Sequence, residues 1–273
     1  MTELAGSMVD SQESRRGPFR RMVVLGDSIA YGMCAHQPEN EWVQVFSGLL
    51  RKFQDAELDV RNQGLPAGVI SPRCPGYDES AKPSLIERYE RHCITLQPDL
   101  VIIAEGLNDM RSGMPVQDFA ADLEAIISDI QARTGALVVL VGIYHQVHGC
   151  GVNNPIENPA WARWDSDFAR IYNLAIRQVA EKRRAIFVDT LAVLGGADWV
   201  LNPDCCHLND LGHVVVGNAV FQSIATDCPV TGDKVLHQIN DLGVSIANTG
   251  GTDTSSEIQM LWKQAAVRFG VEL

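Results

Sequence analysis

The chain has 273 residues, is 46% hydrophobic and carries a formal net charge of -12. That length and apolar content suit one full core without metal or disulfide staples. The acidic balance makes nucleic acid and anionic membrane surfaces poor partners. No apolar run reaches the roughly 18 residues that span a bilayer.

In chain order, residues 1–20 have no apolar h-region and are rich in Ser, Glu, Gly and Arg, which reads as a mobile leader rather than an export signal. Seven cysteines with no export signal read as reduced thiols, and so as a cytoplasmic protein. Residues 22–26, Met-Val-Val-Leu-Gly, form a first short apolar run. Residues 58–62 alternate apolar and polar, 99–104 and 137–143 are almost continuously apolar, and 185–188 form a fifth run. Runs that are apolar on both faces belong to a parallel sheet covered by helices.

Helical stripes lie between these runs. Phe119, Leu123, Ile126, Ile127 and Ile130 recur at helical spacing, with Gly135 as a stop. Trp161, Trp164, Phe168, Ile171, Tyr172, Ala175 and Val179 make a second stripe, and Val215, Val216, Ala219, Val220 and Ile224 a third. Strands alternating with helices predict a three-layer α/β/α sandwich over residues 21–226, with ligands at the carboxyl ends of the strands. Residues 227–273 read as an extension. A capping box at 254–257 starts a helix whose apolar face carries Ile258, Leu261, Trp262, Ala265 and Phe269. That face is expected to pack on this domain or on a second copy, and its mixed polar face does not suit a membrane anchor.

Three short segments could carry chemistry. Gly26-Asp27-Ser28 ends the first run, where a serine hydroxyl becomes a nucleophile if a base takes its proton. Taken alone it is also a strand-ending turn. Gly106-Leu107-Asn108-Asp109 follows the third run, and Asn108 offers a side-chain amide to a developing oxyanion or else caps a loop. Asp204-Cys205-Cys206-His207 follows the fifth run, with acid and base three positions apart in one turn. The same four residues are metal-ligand types, but contiguous ligands wrap an ion poorly and no second cluster matches them in the sequence. His145 and His148 read as solvated loop histidines beside the site, and His213 as a core or capping residue. Glu105 either faces the cleft or ends its strand. No G-x-S-x-G elbow, G-x-G-x-x-G, Walker loop or H-E-x-x-H is present.

Together the three segments resemble the SGNH/GDSL hydrolases, from Met22 to about Ile224. Gly26 to Gly32 is similar to that family's nucleophile block, Gly106 to Asp109 to its asparagine block, and Asp204 to Asn209, with Gly212-His213, to its last block. The resemblance implies a flavodoxin-like five-stranded parallel sheet in the order 2-1-3-4-5. It implies Ser28, His207 and Asp204 as catalytic triad, and an oxyanion hole from the Ser28 and Gly68 amides and Asn108. The glycine block, Asn62 to Gly68, is one residue longer than the family pattern, so Gly68 is favoured while Gly64 and Ala67 stay open as donors. The activity implied is hydrolysis of an ester, with acyl transfer to an alcohol, amine or thiol as the alternative and a non-catalytic binding module as a third reading. It needs no cofactor and no metal, and its partner is a small ester or acyl substrate. Pocket walls are expected from residues 65–78 and 146–159.

Overall fold

Residues 100–104, Leu-Val-Ile-Ile-Ala, are apolar at every position and leave no face that can meet water. In the computed structural model, which describes residues 18–148, 151–154, 156–161 and 168–227, they form the central strand of a sheet. Its five strands are β1 (Arg21–Gly26), β2 (Asp59–Gly64), β3 (Leu100–Ala104), β4 (Leu137–Val141) and β5 (Ile186–Val188). All pair in parallel in the order β2-β1-β3-β4-β5. All five predicted runs are therefore strands, displaced by at most two residues at either end, within the usual scatter of boundaries.

The helices are α1 (Ser28–Tyr31), α2 (Trp42–Gln54), α3 (Leu85–His92), α4 (Leu107–Ser112), α5 (Val116–Thr134), α6 (Phe168–Arg183), α7 (Thr190–Leu194) and α8 (Asp210–Asp227). Helix α2 packs with α8, and α5 with α6 and α3, which clothes the sheet in two helical layers. The stripe of α5 is buried throughout, and Gly135 closes the helix in a left-handed conformation at φ 68°. Helix α6 corrects the second predicted stripe. Its described span is Phe168–Arg183, Trp161 lies in a turn, and Trp164 falls outside the described residues. Phe168 and Ile171 are exposed, because the buried face of α6 is Ala169, Tyr172, Ile176, Val179 and Ala180. Ile171 is one residue, about 100° of helix rotation, from Tyr172.

Several helices come without a prior reading, α2 and α3 the longest of them. Helix α2 buries Trp42, Val43, Phe46 and Leu50, at helical spacing. Helix α3 starts from a capping box in which Ser84 and Glu87 satisfy each other's backbone N–H groups. Its Arg88 is 3% exposed and reaches back to the sheet, donating from Nη1 to Gln63 O (2.7 Å) and from Nη2 to Gly26 O (2.8 Å). That guanidinium ties α3 to backbone carbonyls at the carboxyl ends of β1 and β2, Gly26 O also accepting from Leu65 N (2.9 Å). The leader before residue 18 and the predicted helix at 255–269 lie outside the described residues. Among the described residues, no helix is long and apolar enough to cross a membrane.

Candidate active site

Strand β1 ends at Gly26, whose φ is +144°. A Cβ there would stand 1.9 Å from Ala104 O, so only glycine lets β1 and β3 close up at their carboxyl ends. Asp27 then turns the chain: its N–H donates to Ala104 O (3.2 Å) and its Oδ1 accepts from Ile29 N (2.8 Å), capping the short α1. Ser28 is the first residue of α1, 5% exposed, and its N–H donates to no acceptor among the described residues.

Asp204 and His207 come from a loop that folds back on itself. Leu201 and Leu208 form an antiparallel bridge, Asn202 N–H donates to His207 O (2.7 Å), and Cys205 takes a left-handed φ of 65°. Asp204 Oδ1 accepts the N–H groups of Cys206 and His207, each at 3.0 Å. Its Oδ2 accepts from His207 Nδ1 at 2.5 Å, and His207 Nε2 stands 2.8 Å from Ser28 Oγ. With Nδ1–H turned to the carboxylate, Nε2 presents its lone pair to the serine hydroxyl. Burial works to raise the Asp204 pKa, but the hydrogen bonds from the His207 ring and from the His207 and Cys206 amides outweigh it and hold the carboxyl at about 2.

Residues after β4 hold this loop in place. Tyr144 Oη and Gln146 Nε2 donate to Cys206 O, and Asn153 Nδ2 donates to Cys205 O (2.8 Å). Gln146 and Asn153, from the predicted wall at 146–159, thus brace the turn that carries Asp204 and His207. His145, expected to be solvated, lies at the surface with Nε2 3.0 Å from Asp198 Oδ1. His213 is buried, with Nε2 donating to Met33 O and Nδ1 accepting from Trp42 N.

Asn108, in the first turn of α4, is 4% exposed and donates from Nδ2 to Gly68 O (2.9 Å). Arg111, one turn on, is buried too. It donates from Nη1 to Asn108 Oδ1 (3.4 Å) and from Nη2 to Val152 O (2.6 Å). The guanidinium fixes which end of the amide is which, so that the NH2 faces Gly68 O. The sequence reading missed Arg111, although an Arg three residues beyond an Asn on a helix is the spacing at which such a contact forms.

Gly68 departs from its expected role. Its N–H donates to Leu65 O (2.9 Å), closing the turn, and so does not stand free as an oxyanion donor. The Gly64 N–H is likewise taken, by Asn62 Oδ1 (2.9 Å). Of the three backbone donors considered, only the Ala67 N–H has no acceptor among the described residues, at a left-handed φ of 60°.

The cysteines also need correction. Cys34, Cys74, Cys93 and Cys206 are free, but Cys205 is disulfide-bonded. The expectation of seven reduced thiols fails there, and with it the cysteine argument for a cytoplasmic location. Local spacing carries no information on which thiols meet in space.

Beneath the serine lies a cavity lined by Asp27, Ile29, Glu105, Leu107, Ile143 and Tyr144. Glu105 faces this cavity, and neither of its carboxyl oxygens has a hydrogen-bond partner among the described residues. Burial raises Asp27 to about 6 and Asp109 to about 7, against the Ile29 and Ile70 N–H groups that they respectively accept. Burial, then the charges of Asp27 and Asp109, push Glu105 well above the usual range. The folded chain therefore keeps a proton on Glu105 after the unfolded chain has lost it. Such a group contributes stability that is complete below its unfolded pKa and is lost as pH rises through the folded one. Glu105→Gln is expected to leave stability at pH 4 unchanged and to raise Tm at pH 8 by about 2–4 °C or more, the effect of 1 kcal/mol in a chain of this size. Melting curves at both pH values check it, and an equal or lower Tm at pH 8 contradicts it.

The model of the GDSL-like Lipase/Acylhydrolase family matches residues 24–215. The chain belongs to that family. It is 21% identical over 234 residues to an acetylxylan esterase of Geobacillus stearothermophilus, covering 76% of this chain and 95% of the other. The solved structure of that acetylxylan esterase superposes with a TM-score of 0.56 at 22% identity over 77% of this chain and 96% of the other. A lipase/acylhydrolase from Enterococcus faecalis gives 0.59 at 19% identity, over 75% and 95%. TesA gives 0.59 at 19% identity, over 76% and 99%. These structures share the fold, a five-stranded parallel sheet flanked by helices. This GDSL chain is an esterase-type enzyme, and its three family motifs fall at one edge of the sheet, after β1, β3 and β5.

Proposed function

We propose that the enzyme hydrolyses a carboxylic ester, such as an O-acetyl group, through an acyl-enzyme on Ser28. The observation that carries this reading is the unbroken chain Ser28 Oγ, His207 Nε2, His207 Nδ1, Asp204 Oδ2, at 2.8 and 2.5 Å. As Ser28 Oγ bonds to the substrate carbonyl carbon, its proton passes to His207 Nε2. Asp204, ionised throughout the working range, stabilises the imidazolium through Nδ1–H. The carbonyl oxygen becomes an oxyanion and takes hydrogen bonds from Ser28 N–H and Asn108 Nδ2. Gly68 contributes its carbonyl, which orients the Asn108 amide. His207 then gives its proton to the leaving alkoxide. Water attacks the acyl carbon with His207 again as base, which frees the acid and restores Ser28.

Two further facts support the reading. The acetylxylan esterase structures include catalytic mutants at one serine, one aspartate and one histidine, the three residue types that meet here. The net charge of -12 disfavours anionic esters, so the substrate is read as neutral or cationic.

A fluorophosphonate probe, followed by a panel of p-nitrophenyl esters with and without added alcohols, tests it. Labelling is expected on Ser28 alone, with the free acid as the main product. Labelling at another residue overturns the nucleophile. Product carried mainly onto the alcohol makes the enzyme an acyltransferase instead.

A further inference from the structure

We propose that Cys34, Asp204 and His207 form a binding site for a thiophilic divalent cation of the zinc type, and that its occupation switches the esterase off. The inhibitory part rests on the reading of His207 as the base for Ser28. One ligand atom from each of the three residues lies within 4.8 Å of the others. Cys34 comes from the loop after α1 and points Sγ at Asp204 Oδ2, 3.7 Å away. The His207 Nδ1 is 2.5 Å from the same oxygen.

Zinc bonds of about 2.3 Å to sulfur and 2.0 Å to nitrogen or oxygen place tetrahedral ligand atoms roughly 3.3–3.5 Å apart. The sulfur–oxygen pair already stands near that spacing, and the nitrogen–oxygen pair needs to open by less than about 1 Å. A thiolate, an imidazole and a carboxylate are a zinc donor set, and a fourth position remains for water. Magnesium and calcium prefer oxygen ligands and do not match it.

The position of Cys34 is set rather than accidental. Its backbone is left-handed at φ 72°, and its carbonyl accepts from Asn202 Nδ2 (3.3 Å), in the loop that carries Asp204 and His207. The neighbouring thiols do not compete. Cys206 Sγ accepts from Gln146 Nε2 (3.5 Å), Cys205 is disulfide-bonded, and Cys74 and Cys93 are buried elsewhere in the core. The acid-base turn holds two ligands, and a segment 170 residues away supplies the third.

The chemistry of inhibition follows from the tautomer. The cation bonds to Nδ1, to the Asp204 carboxylate and to the Cys34 sulfur, whose proton is released to water. The single imidazole proton moves to Nε2. That nitrogen now faces Ser28 Oγ with an N–H instead of a lone pair and cannot take the serine proton.

The test uses the full-length protein in a non-chelating buffer, with zinc chloride against hydrolysis of p-nitrophenyl acetate and cobalt chloride as a spectroscopic stand-in. Zinc is expected to inhibit, excess EDTA to restore the rate, and magnesium at the same concentration to do nothing. Relative to their own metal-free rates, Cys34→Ala and Cys34→Ser are expected to need at least about tenfold more zinc for half-inhibition, as loss of a ligand dictates. Cobalt is expected to show a thiolate charge-transfer band in the wild type and in Ser28→Ala, and none in Cys34→Ser. Equal zinc sensitivity of the wild type and both Cys34 variants, or no cobalt band in the wild type, overturns the site and leaves the Ser28 reading untouched. A cobalt band with hydrolysis unimpaired overturns the inhibitory switch.

Discussion

Ser28→Ala is expected to lower kcat for ester hydrolysis by about 10⁴-fold or more while leaving the fold intact. The substitution removes one oxygen whose single described side-chain partner is His207 Nε2. Asp27 still caps α1 through Ile29 N, and the loop bonds of Asp204 do not involve Ser28. The melting temperature is therefore expected to stay within about 2–4 °C, the shift that 1 kcal/mol produces in a chain of this size. Because nucleophile and base act in one step, the double variant Ser28→Ala/His207→Ala is expected to be no slower than either single variant. Steady-state rates on one activated ester check both statements. Losses that multiply in the double variant mean that the two residues act separately, and the proposed mechanism fails.

Asn108→Ala is expected to lower kcat by about 10²–10³-fold with little change in KM, as loss of one oxyanion donor does elsewhere. The donor is used mainly when charge has developed on the carbonyl oxygen, so the ground-state complex changes little. The variant also frees Gly68 O and one N–H of Arg111, but Arg111 keeps its 2.6 Å bond to Val152 O. A folded Asn108→Ala with unchanged kcat removes Asn108 from the mechanism. Asn108→Asp separates charge from shape: a carboxylate there meets Gly68 O and the oxyanion with like charge, so it is expected to be at least as slow as the alanine variant.

Much of this architecture is local and was readable. Residues 100–104 and 137–141 are apolar on both faces, and only a covered parallel strand accommodates that. The α5 stripe repeats at 3.6 residues per turn and is buried as read. Ser28, Asn108, Asp204 and His207 sit in short motifs whose residue types announce their chemistry, and each motif follows a strand. The strand order came from family resemblance, since periodicity says which segments are strands and not which lie side by side.

What the sequence by itself determined is the list of strands, the stripes of α5 and α8, part of that of α6, and the short motifs whose residue types can transfer a proton. Those depend on neighbours within one or two turns of the chain. The tertiary structure alone decided the rest. Ser28 meets His207 across 179 residues, and Cys34 meets Asp204 across 170. It turned the Gly68 N–H onto Leu65 O, set Arg111 behind Asn108, and buried Glu105 beside two other carboxyls. Hydrogen-bond direction and charge burial depend on what lies within a few ångströms in space, and separation along the chain does not encode that distance.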